Sequence, residues 1–129
     1  MMVSEKARVS DYHFDHKLWM NELNFFEAQL EVFEGRLGEV VRKLKESEAL
    51  AAAEAFQNQI IRQREVIDQL KHKFRLRERD LDAYDNNVEL DADHPLFIDH
   101  EKEHEDMEIF IKLYKEMRDN YMQFLKDWA

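Results

Sequence analysis

From Trp19 to Leu44 an apolar side chain recurs at alternating steps of four and three residues. The line is Trp19, Leu23, Phe26, Leu30, Phe33, Leu37, Val40 and Leu44. A heptad line this regular points to a helix packed along its length against other helices. Two further lines follow. One reads Ala49, Ala53, Phe56, Ile60, Gln63, Ile67, Leu70, Phe74, Arg77, Leu81, Tyr84. The other reads Leu96, His100, Glu103, Met107, Phe110, Tyr114, Met117, Tyr121, Phe124, Trp128.

The phases place helices over about Tyr12 to Lys45, Glu48 to Asp85, and Pro95 to the end. The first two lines are out of phase, which puts a tight turn near Glu46–Ser47 with Ser47 as N-cap. A break at Gly35 and Gly38 is the alternative for helix 1, and one long helix through the Ser47 region is another. A continuous helix 1 keeps Leu37, Val40 and Leu44 on its stripe, with the two glycines letting a neighbour approach closely. Residues 85–94 read as the one obvious loop, and Pro95 stands where proline opens a helix. Residues 1–11 read as a flexible N-terminal segment and 12–129 as one domain. Helices of this length span about 50 Å, and short connections make neighbours antiparallel. The fold class is therefore all-α: an antiparallel up-down-up bundle of three long helices with coiled-coil-like packing. In architecture alone it resembles the spectrin-type three-helix unit.

Composition excludes other classes. The chain of 129 residues has no cysteine, two glycines and one proline. Disulfide scaffolds, thiolate zinc fingers and cysteine nucleophiles need thiols. Glycine-rich phosphate loops need more glycine, and β-rich folds need more turns. A formal charge of −10 opposes binding to nucleic acid or to an anionic membrane. No apolar run is long enough for a transmembrane helix. The first residues lack the apolar stretch of a secretory signal, so a cytoplasmic location is expected.

The polar residues inside the apolar lines carry the chemical signal. In an up-down-up bundle the start of helix 1, the end of helix 2 and the start of helix 3 meet. His16, Arg77, His100 and Glu103 then fall at one level, on positions the pattern reserves for core. Two readings follow. In the first, His16, His100, Glu103 and His104 hold iron, manganese or zinc, with Glu101 as a spare carboxylate. The Glu101-x-x-His104 spacing resembles that of ferritin-like di-iron bundles, but it occurs once where those proteins use it twice. In the second, Arg77 and Glu103 form a buried pair and the polar layer sets register. Gln63 is placed opposite Tyr114 as a hydrogen-bond partner. His72 points away from the core. No nucleophile–base pair or paired-carboxylate cleft suggests an enzyme.

Phe25, Val32, Val41, Ile61, Val66, Ile109, Ile111, Leu113, Met122 and Leu125 fall outside the three lines. This surplus suggests a further surface to cover, by a homodimer or a partner helix. The expected function is an interaction or assembly module, with a metal-binding bundle as the alternative. If His16 and His100 are buried and neutral, stability falls as pH drops through about 6.5.

Overall fold

The computed structural model describes residues 6–128. Three helices dominate it: α1 (Val9–Val41), α2 (Ser47–Leu81) and α3 (Pro95–Trp128). The bundle runs up, down and up, as the heptad lines require. Gly35 and Gly38 lie inside a continuous α1. They do not serve close approach, since a Cβ built at either position meets nothing within 4 Å.

The three apolar lines form one core. Leu23, Leu30, Ile60, Ile67, Phe74, Tyr114 and Tyr121 are all buried within it. Tyr121 donates its hydroxyl hydrogen to the Phe33 carbonyl of α1 at 2.7 Å, so a polar tip reaches a partner inside an apolar wall. Trp128, the last residue of its line, is instead exposed. Lys43 and Leu44 follow α1 in a turn, and Leu44 still packs on the core. The N-cap of α2 is Glu46, which has extended backbone and makes no side-chain capping bond. Ser47 is thus the first residue of the helix and not its cap.

The N-terminal boundary differs from the sequence reading. Residues 1–5 lie outside the described residues. Within the stretch read as a separate N-terminal segment, Lys6–Arg8 form strand β1, and α1 begins at Val9. β1 pairs antiparallel with β2 (Glu89–Asp91), with Ala7 opposite Leu90. The Val9 amide donates to the Val88 carbonyl at 3.0 Å, and the Ser10 amide to the Asn86 carbonyl at 3.1 Å. The loop after α2 therefore supplies acceptors for the first amides of α1, which a helix cannot satisfy itself. Leu90 lies beneath this ribbon with Val9, Tyr12, Leu81 and Phe97, forming a second small core. His94 caps α3, its Nδ1 accepting from the Leu96 amide at 3.1 Å. Pro95 opens the helix. The small core closes the end of the bundle where the polar layer sits.

Candidate metal centre

Each polar residue of the layer is held by a long helix. His16 follows Tyr12 by one turn on the inner face of α1. Arg77 follows Phe74 on α2. His100 and Glu103 share the inner face of α3, three residues apart. His16 and Glu103 are each only 2 % exposed and His100 5 %. Aromatic rings build the walls. Tyr12 stacks on His100 with centroids 4.1 Å apart, and Trp19 stacks on the same imidazole at 5.0 Å. Phe74 lies along the His16 ring at 5.5 Å.

Glu103 is the hub. Its Oε1 accepts from Arg77 Nε at 2.9 Å. Its Oε2 faces His16 Nε2 at 2.9 Å and His100 Nδ1 at 3.7 Å. The outer ring nitrogens are also committed. His16 Nδ1 donates to Glu78 Oε2 at 2.8 Å, and His100 Nε2 donates to Asp15 Oδ2 at 2.8 Å. His13 Nδ1 donates to the same Glu78 oxygen at 2.8 Å. Arg77 reaches Asp80 at 3.1 Å and Asp99 at 3.4 Å as well.

The electrostatics follow from this inventory. The layer joins the carboxylates of Asp15, Glu78, Asp80, Asp99 and Glu103 to one permanent cation, Arg77. Positive charge is short, so the network favours a protonated His16 or a bound cation. Burial alone lowers the His16 pKa. The hydrogen bonds to Glu103 and Glu78 outweigh that and raise it above the ordinary imidazole value. The expectation of a depressed His16 is thus overturned. Both of its nitrogens face carboxylate oxygens, which only accept, so the metal-free ring is satisfied as imidazolium. Burial also works against the Arg77 charge, but Asp99, Asp80 and Glu103 raise its pKa further.

A cavity of about 10 Å³ lies at the centre, lined by Tyr12, His16, Arg77, Leu81, Leu96, His100 and Glu103. This is the scale of a single water-sized species. The Tyr12 hydroxyl is buried without a hydrogen-bond partner. Burial, then the charges of Glu101, Asp11 and Asp15, push its pKa far above the ordinary phenol range. It stays a hydroxyl, able to donate.

One ligand atom each from His16, His100 and Glu103 lies within 4.8 Å of the other two. His104, expected beside them, is not part of this group. One residue past Glu103, it is turned about 100° round the helix. Its side chain is 56 % exposed and pairs with Glu108 at 3.2 Å. Glu101 is exposed too. The Arg77–Glu103 pair is present as the pattern suggested. The Gln63–Tyr114 bond is not. Tyr114 leans toward α1 against Phe26, centroids 4.4 Å apart, and donates to Gln29 Oε1 at 2.6 Å. Gln63 instead lines a groove between α2 and α3 with Val66 and Ile109, and its Oε1 is buried without a hydrogen-bond partner. Sequence reasoning missed Asp15, Glu78 and Tyr12. The signal for Asp15 and Glu78 was adjacency: each stands one residue from a polar intrusion, on the flank where helices meet.

Comparison of the chain with protein-family models, with curated proteins and with solved structures finds no match. No helix among the described residues is long and apolar enough to cross a membrane.

Proposed function

We propose that this chain is a divalent-metal-binding helical bundle, with His16 Nε2, His100 Nδ1 and Glu103 Oε2 as ligands. The observation that carries the reading is the division of labour within each imidazole. The outer nitrogen donates to a carboxylate, Glu78 or Asp15, and the inner nitrogen is turned toward one shared oxygen of Glu103. Metal-ligating histidines are oriented in this way by second-layer carboxylates. Arg77 occupies the other Glu103 oxygen, leaving Oε2 for an ion.

The spacing suits a small ion. Ligands bonded tetrahedrally at about 2.1 Å stand about 3.4 Å apart. The present separations from Glu103 Oε2, 2.9 Å and 3.7 Å, bracket that value. Two imidazoles and a carboxylate select zinc, iron or manganese over calcium and magnesium. The cavity has room for one water-sized species, and the unpartnered Tyr12 hydroxyl is among the groups at its wall. The ion would tie α1 to α3 and neutralise an anionic layer.

Elemental analysis of untagged protein purified without chelator tests this. The reading expects one zinc, iron or manganese per chain, lost in the His100→Ala variant. A metal-free chain, or metal retained by the variant, would overturn it.

A further inference from the structure

The outer face of α1 carries large apolar side chains that the bundle leaves uncovered. Phe14, Leu18, Phe25 and Val32 are 61, 45, 60 and 69 % exposed. They fall on a second line of alternating four- and three-residue steps, filled in by Asn21, Ala28 and Gly35. At about 100° per residue, this line runs roughly opposite the buried line of His16, Leu23 and Leu30. A helix that buries one face in a three-helix core presents a polar opposite face. Here the opposite face repeats the spacing of a coiled-coil seam, with Leu18, Phe25 and Val32 at every a position.

We infer that this face of α1 pairs with the same face of a second copy of the chain. The flanking charges favour a second copy over a foreign partner. One edge of the line carries Asp15, Glu22 and Arg36, and the other carries Lys17 and Glu31. Set parallel and in register, Lys17 meets Glu22 and Glu31 meets Arg36 of the second copy, and no like charges meet. For a chain of net charge −10, self-pairing needs a strip where its own signs alternate, and this strip supplies one. Edge charges of this kind choose the partner. The inference does not depend on metal at the other face of α1.

Sedimentation velocity over a wide concentration range tests it. The mass should rise from 15.7 kDa toward twice that value as concentration increases. Phe25→Glu should raise the dimer dissociation constant about tenfold or more, with helix content unchanged because Phe25 is 60 % exposed. Lys17→Glu faces Glu22 of the second copy and should weaken the dimer about threefold. A mass fixed at the monomer value would overturn the inference. So would a dimer unaffected by Phe25→Glu and Lys17→Glu.

Discussion

Replacement of Glu103 by alanine and by glutamine separates a buried ionic hub from a passive polar residue. Alanine removes the acceptor of Arg77 Nε and the partner of His16 Nε2, both at 2.9 Å. Breaking a buried pair from one side costs about 3–5 kcal/mol. Arg77 is partly exposed and keeps Asp80 and Asp99, and His16 keeps Glu78. The expected cost therefore lies at the lower end, about 3 kcal/mol. Glutamine preserves shape and the oxygen for Arg77. Its amide donates to His16 Nε2, which then needs no second proton. A charge-assisted bond of about 1.5–3 kcal/mol gives way to a neutral one of about 0.5–1.5. The cost should be about 1 kcal/mol. Domains of this kind have total stabilities of about 5–15 kcal/mol, so the alanine loss is readily resolved. Urea unfolding in chelator, near pH 6, followed by helical circular dichroism and by tryptophan fluorescence, measures both variants. An alanine cost below about 1 kcal/mol, or equal costs for the two, would refute the hub.

Two further outcomes follow from named geometry. His16 has a raised folded pKa, so its contribution is complete below the unfolded value of about 6.5 and fades as pH rises through the folded value. In chelator, stability should fall toward alkaline pH, and a His16→Gln variant should flatten the profile; an unflattened profile assigns the dependence elsewhere. Gly35→Ala and Gly38→Ala should each raise stability by about 0.5–1 kcal/mol, because alanine favours helix and the added Cβ meets nothing within 4 Å. Thermal unfolding of the variants measures this, and a loss would show hidden contacts at α1.

The long elements were legible because their signal is local and repeated. Leu23, Leu30, Ile60, Ile67 and Tyr114 each carry one increment of their own helix's heptad line, and each is buried. The polar layer was legible for the same reason, as His16, Arg77, His100 and Glu103 are polar residues standing on those lines. What stayed hidden depends on direction around a helix or on distant partners. Level counting set Gln63 at the height of Tyr114 but not on its side, and it could not turn His104 outward. The β1–β2 ribbon joins Ala7 to Leu90 through strands of three residues, too short for a periodic signal. The direction of the His16 shift required Glu78, which lies off the apolar line and sixty-two residues away.

The claim that matters most is that the layer is built for a cation. Calorimetric titration of chelator-stripped protein with Zn²⁺ tests it, run beside His16→Ala and His100→Ala. The account predicts saturation at one ion per wild-type chain and no saturable binding in either variant. An absence of saturable heat in the wild type, or unchanged binding in the variants, would contradict it.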